Sequence, residues 1–195
     1  ALTGDAVSPV NAVAWGLADV LVDSTTLPAL WEGLANTPFT TAEDVLQWLA
    51  SKSIAKSAGG SCATGQFDAY FSHADALGIL QALEAAKSDD WATTTAATLR
   101  KRSPLMVAVV LEQIRRARDM TLADDLRMER DMVRHCFNLR PGAASETVEG
   151  IRALAVDKDH KPQWNPARLE EVTADMVAPF FTSPWPAHAH PLRDL

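Results

Sequence analysis

The chain is 195 residues long, 47% hydrophobic and 22% charged, and its 18 lysines and arginines against 25 aspartates and glutamates give a net charge of −7. That length supports one large domain or two small ones with a proper core, and the composition excludes a disordered tail. The acidic balance disfavours a nucleic-acid partner, whose backbone is bound by many cations, and no apolar run nears the ~20 residues that span a bilayer.

The chain opens ALTGDA, with neither an initiator Met nor a signal-peptide pattern, and the core-like Ala1-Leu2 is expected to mark a cut made inside a domain. Ser8-Pro9 then offers a helix cap followed by Pro at the first helical position, with Gly16 ending that short helix. Val20, Leu21 and Val22 form an apolar run with two β-branched members, the one credible strand in the sequence. A helix follows from about Leu27 to Ala35. Thr41 with Asp44 resembles a capping box and opens another, running to about Lys52.

The tract from Ser57 to Gly65 reads as a connecting loop, since no Lys-Ser/Thr follows its glycines to make a phosphate-binding loop. Helices resume at Gln66, with one short segment, one from about Asp75 to Lys87 and one from about Asp90 to Arg102. Ser103-Pro104 repeats the cap-then-Pro signature and starts a helix whose Met106, Val109, Val110 and Ile114 share a stripe. Thr121 caps the next, with Leu122, Leu126, Met132, Val133 and Cys136 at helical spacing. Arg140-Pro141-Gly142 breaks the pattern, Ser145 restarts it, and short helices follow Pro166 and Thr173. The closing SPWPAHAHPLRDL reads as a Pro-rich surface tail. No repeat and no βαβ alternation appears, so the expected fold is mainly α.

Three clusters could carry chemistry. Arg100, Lys101 and Arg102, with Arg115, Arg116 and Arg118, are either solvated helix-end cations or a seat for a phosphate-bearing ligand. His188 and His190 alternate and could share a metal if the segment is extended, yet without a nearby carboxylate or Cys they read as tail residues. Glu146 and Glu149 sit near a helix N-terminus, where the dipole favours anions, with Asp157 and Asp159 beyond. Cys62 and Cys136 lack metal-ligand or CxxC spacing and read as reduced thiols of a cytosolic protein. The residues alone lead to an acidic, helical, intracellular protein with phosphate binding as its sharpest option.

One stretch goes further. EGIRALAVDKDHKPQWNP, residues 149–166, leaves an apolar helix for a charged tripeptide and then fixes Trp164 between Pro162 and Pro166. With the following ARLEEVTADMV it resembles the C-terminal signature of the 3-hydroxyisobutyryl-CoA hydrolases, within the crotonase (enoyl-CoA hydratase/isomerase) superfamily. The superfamily's E-G-x-x-A-F-x-x-K-R-x-P-x-F/W segment is matched in order by Glu149, Gly150, Ala153, Lys158, Pro162 and Trp164. ALTGDAVSPVNAVAWGLADVLV resembles the family's Leu-Thr-Gly loop, helix, Gly turn and strand, and residues 91–137 resemble its Trp-Ala to Ser-Pro helices. The chain departs from the usual Ser-Pro-Thr-Ser at Leu105-Met106, and from the usual Asp-Phe at Glu146-Thr147, which leaves the acyl preference open.

The resemblance implies the C-terminal part of an α/β crotonase fold with one short strand near the N-terminus. Residues 1–36 would end the crotonase core, and residues 37–195 would be a helical region covering the acyl-CoA site and packing subunits. Lys158 would lie near the CoA phosphates or adenine and Trp164 by the acyl end. The oxyanion-hole glycines and catalytic carboxylates would lie in a missing N-terminal half, so no catalytic residue and no metal ligand is expected here. The substrate would be an acyl-CoA, with coenzyme A entering only as part of it. The partners would be that missing half and further copies in a homo-oligomer, and the compartment the cytoplasm. An enoyl-CoA hydratase or isomerase, or a non-enzymatic helical assembly module, are the rival readings.

Overall fold

The computed structural model describes residues 1–54 and 64–195. Its helices are α1 (Pro9–Ala14), α2 (Leu27–Asn36), α3 (Ala42–Ala50), α4 (Thr64–Phe71), α5 (Ala76–Ala85), α6 (Asp90–Leu99), α7 (Pro104–Ala117), α8 (Leu122–Asn138), α9 (Glu146–Ile151) and α10 (Ala174–Val177). They fall into two compact units, one of Asp5–Phe67 and one of Ala1–Gly4 with Asp68–Leu195.

In the smaller unit the caps form where the sequence puts them. Ser8 Oγ accepts the Asn11 N–H at 3.2 Å, and Thr41 and Asp44 close a complete capping box. Gly33 is demanded by packing, because a Cβ there would stand 2.5 Å from the Trp48 ring. None of its described residues is buried, and Trp31 on α2 is 77% exposed. The expected strand at residues 20–22 is absent, and no strand occurs among the described residues. Leu21 makes a single-point contact instead: its carbonyl accepts the Ile54 N–H at 2.7 Å and its N–H reaches Ser53 Oγ at 3.3 Å. A strand exists through a ladder of such bonds, and one rung does not make a ladder. Cys62 and most of the glycine-rich tract lie outside the described residues.

The larger unit holds two buried clusters. Ile79, Leu80 and Leu83 of α5 pack with Ala92, Ala96 and Leu99 of α6, and with Val107 and Leu169. Leu105 and Val109 of α7 pack with Met128 and Met132 of α8 and with Phe180. Helix α7 therefore serves both clusters: its buried residues are Pro104, Leu105, Val107 and Val109, so of the expected stripe of Met106, Val109, Val110 and Ile114 only Val109 is buried. A helix packed between two layers needs two apolar faces. Helix α8 also turns differently from expectation: Met128, Asp131 and Met132 are buried, while Leu122, Leu126 and Val133 remain exposed.

Two further expectations are corrected here. Much of the basic cluster ties the fold together: Arg100 makes a bidentate pair with Glu84 through Nε and Nη2 at 2.7 and 3.0 Å and donates from Nη1 to both Glu170 oxygens at 2.8 and 3.0 Å, and Arg115 donates to the His73 carbonyl at 2.6 Å and to that of Ala74. The C-terminal segment is docked on α8. The Trp185 ring receives Arg130 and Arg134 at 4.9 and 5.1 Å, and Arg127 Nε donates to the Leu192 carbonyl at 3.1 Å. His190 is buried, accepting the Leu192 N–H at Nδ1 and meeting Asp131 Oδ1 through Nε2, each at 3.0 Å. His188 stays exposed on a 3-10 turn, so the two histidines do not converge on a metal. Among the described residues no helix is long and apolar enough to cross a membrane.

Candidate functional site

The stretch that carried the resemblance forms a fastened turn beside an open cleft. Ser145 starts α9 by accepting the Val148 N–H at 3.3 Å, and its hydroxyl donates to the Cys136 carbonyl at 2.6 Å. That places Glu146 and Glu149 a turn apart on the inner face of α9, at 6% and 4% exposure. They act as more than partners of the helix dipole. Glu146 accepts the Ser103 hydroxyl and the Asn165 N–H, the latter at 2.9 Å, with Arg140 Nη1 3.9 Å away. Glu149 accepts Arg152 Nε and Nη2 at 2.8 and 2.7 Å and the Gln163 N–H at 2.7 Å. The Arg152 guanidinium first, and then the Gln163 amide, hold the Glu149 carboxyl down to about 2.

After Ile151 the helix widens into a π-turn over Arg152–Val156, closed by the Asp157 N–H on the Arg152 carbonyl at 2.8 Å. The chain then wraps the Arg152 side chain. Nη1 donates to Asp157 at 2.6 Å and to Asp159 at 2.8 Å, and Nη2 donates to the Lys161 carbonyl at 3.2 Å. Two residues of this turn, Lys158 and His160, sit at φ of 55° and 54°, a left-handed conformation costing roughly 1–3 kcal/mol in a non-glycine residue. Such residues persist where surrounding bonds over-determine them, and Arg152 with the His160 N–H on the Ala153 carbonyl at 3.0 Å does so here.

Trp164 emerges from this turn half-buried, its Nε1–H donating to the Lys101 carbonyl at 3.2 Å. Its ring lies on Gly150, where a Cβ would meet Cη2 at 3.3 Å, so the Glu-Gly pair has a packing reason as well as an electrostatic one. The ring walls a cleft of about 640 Å³ whose apolar lining includes Leu2, Met106, Val110, Ile151 and Leu154. Polar residues reach the same cleft: Lys101, Arg102, Ser103, Glu146 and His160. Lys158 is exposed on the turn and does not line it. Of the two predicted site residues, the structure brings Trp164 to the cleft and leaves Lys158 beside it.

Chemically the cleft suits an apolar or amphipathic ligand. Ser103 and Glu146 are fasteners there, because the Ser103 hydroxyl donates to Glu146 while its oxygen caps α7 by accepting the Met106 N–H at 3.2 Å. No group of three His, Cys, Asp or Glu residues among the described residues is placed to hold a metal. Sequence reasoning missed Arg152 as the hub of the turn. The signal was the Glu149-x-x-Arg152 spacing followed by two aspartates, which a helix exit folds back onto one guanidinium.

Known proteins match this chain along nearly its whole length. The family model for enoyl-CoA hydratase/isomerase matches residues 1–181. The 3-hydroxyisobutyryl-CoA hydrolase 1 of Arabidopsis thaliana is 33% identical over 187 residues, 92% of this chain and 49% of the relative. Also 33% identical is the small ribosomal subunit protein mS47 of the same plant, over 93% of this chain and 46% of that protein. A carnitinyl-CoA dehydratase from Mycobacterium thermoresistibile superposes with a TM-score of 0.62 at 26% identity, over 93% of this chain and 49% of that one. The chain thus spans about half the length of these proteins.

Proposed function

The chain belongs to the enoyl-CoA hydratase/isomerase family, and on that footing we propose that it forms the acyl-CoA-covering part of a thioester hydrolase acting on 3-hydroxyisobutyryl-CoA. The observation that carries this reading is the cleft walled by Trp164, the motif's aromatic, held over Gly150 and between two prolines. A rigid ring walls an apolar pocket at small entropic cost. Lys158 supplies an ammonium on a long stem for the polyanionic end of coenzyme A, with Asp157 and Asp159 engaged by Arg152 rather than by the lysine. Residues 1–36 are read as the end of the core and the remainder as the covering region.

Hydrolysis breaks the acyl C–S bond with water and releases the free acid and the CoA thiol. It requires donors for the developing oxyanion and a carboxylate that activates the water. In this reading both belong to a further segment of the whole protein, which agrees with the half-length match to the relatives. Coenzyme A enters as part of the substrate and no separate cofactor is required. The exposed apolar residues of α2 and α8 fit burial against that segment and against further copies in a homo-oligomer. A cytoplasmic location rests on cysteine usage alone.

Thiol release from 3-hydroxyisobutyryl-CoA tests the reading. The whole protein is expected to release CoA and residues 1–195 alone to stay at background, and release by residues 1–195 alone overturns this division of labour. Loss of enoyl absorbance without thiol release would instead establish the hydratase or isomerase chemistry of the same family. A non-enzymatic assembly role is the second reading, favoured by the likeness to a protein named as a ribosomal subunit component. Absence of turnover with any acyl-CoA, together with stable incorporation into a larger particle, would establish it.

A further inference from the structure

We propose that Arg152 is a positioning residue for this site, setting the shape of the cleft's rim through the turn it holds and without touching the ligand itself. The proposal rests on the reading of Trp164 and Lys158 as acyl-CoA contacts.

The geometry is that of a clamp. One guanidinium makes a bidentate pair with Glu149 on α9 and bonds to Asp157, Asp159 and the Lys161 carbonyl, so it joins the helix to points on either side of Lys158 and His160. Those two residues hold left-handed backbone, which a free turn would leave. Glu149 extends the clamp by accepting the Gln163 N–H, one residue before Trp164. Arg152 is absent from the lining of the cleft, whereas His160, Pro162 and Trp164 are part of it. The π-turn enables the arrangement: the widened helix end puts the Arg152 carbonyl under the Asp157 N–H while the side chain reaches into the turn it precedes. A planar fork of five donors fits this task, and a lysine with one ammonium cannot span both Glu149 and the aspartates.

The experiment compares Arg152→Gln and Arg152→Lys with Lys158→Ala and Trp164→Ala in the full-length protein, by calorimetric titration with free coenzyme A and with 3-hydroxyisobutyryl-CoA. Arg152→Gln is expected to weaken binding of the acyl-CoA about tenfold, with Arg152→Lys intermediate. In a Lys158→Ala/Trp164→Ala background the same substitution is expected to add less than about twofold, because residues acting through one another are non-additive. Limited trypsin digestion gives a second readout that survives poor folding. In Arg152→Gln, cleavage after Lys158 is expected to rise relative to cleavage after Lys87, a lysine outside the turn. Full additivity, unchanged affinity in Arg152→Gln, or uniform acceleration of both cleavages overturns the proposal while leaving the ligand reading intact. Unchanged affinity in Lys158→Ala and Trp164→Ala overturns the ligand reading, and this inference with it.

Discussion

Glu146 offers the sharpest test of how this fold is fastened. Its carboxylate is buried at 6% exposure and accepts the Ser103 hydroxyl on one oxygen and the Asn165 N–H on the other. Glu146→Ala removes two charge-assisted hydrogen bonds, leaves the buried Ser103 hydroxyl without an acceptor, and strips Arg140 of the anion 3.9 Å away. Hydrogen bonds to charged groups contribute about 1.5–3 kcal/mol each, and Asn165 is exposed, so water recovers part of its share. The expected loss is about 3–4 kcal/mol, a large part of the 5–15 kcal/mol typical of a domain. Glu146→Gln keeps the carbonyl that receives Asn165, and its amide can donate to Ser103 Oγ, so its cost is expected near 1–2 kcal/mol. Urea unfolding of the full-length protein, followed by far-UV circular dichroism, measures both. A loss under about 1 kcal/mol for the alanine variant, or equal losses for the two, would refute the account of Glu146 as a satisfied anion holding α7 to the Trp164 segment.

Other expectations follow from the same contacts. The Glu149 carboxyl titrates near 2 because Arg152 and the Gln163 amide favour its charged form. Its contribution is therefore complete above the ordinary carboxylate value of 4.5 and is lost as pH falls toward 2, so Arg152→Gln should flatten the decline in urea midpoint between pH 5 and pH 3. Gly150→Ala places a Cβ 3.3 Å from Trp164, so it should weaken acyl-CoA binding in titration calorimetry while changing the urea midpoint little, since alanine regains about 1 kcal/mol of helix propensity. His190→Ala leaves the buried Asp131 carboxylate without its donor, and should cost about 2–3 kcal/mol and speed proteolysis of the C-terminal segment. An unaltered digestion pattern would show that the Trp185 and Arg127 contacts hold the segment without His190.

Much of the local structure was legible in the residues. Ser8, Thr41, Ser103, Thr121 and Ser145 each cap the helix that follows, because a short polar side chain bonds an orphan N–H within its own turn. The offset of Trp164 from Glu149-Gly150 was likewise visible, since it is fixed by sequence and needs no distant partner. The strand at residues 20–22 was misread because β-propensity describes a side chain's fit to a sheet, while the sheet itself has to be supplied by other chain. The faces of α7 and α8 were misjudged because periodicity shows that an apolar stripe exists without showing which neighbour covers it.

The sequence by itself determined where helices begin, which family the closing motif resembles, and how far past Glu149-Gly150 the aromatic Trp164 falls. Only the tertiary structure decided that Arg152 gathers Glu149, Asp157 and Asp159, that Ser103 reaches Glu146 across 43 residues, and that a Pro-rich end with His190 docks on α8. Caps and motif spacing are set by bonds within a few residues. Buried charge partners are chosen by whatever the folded chain brings within about 3 Å, and no local pattern encodes that choice.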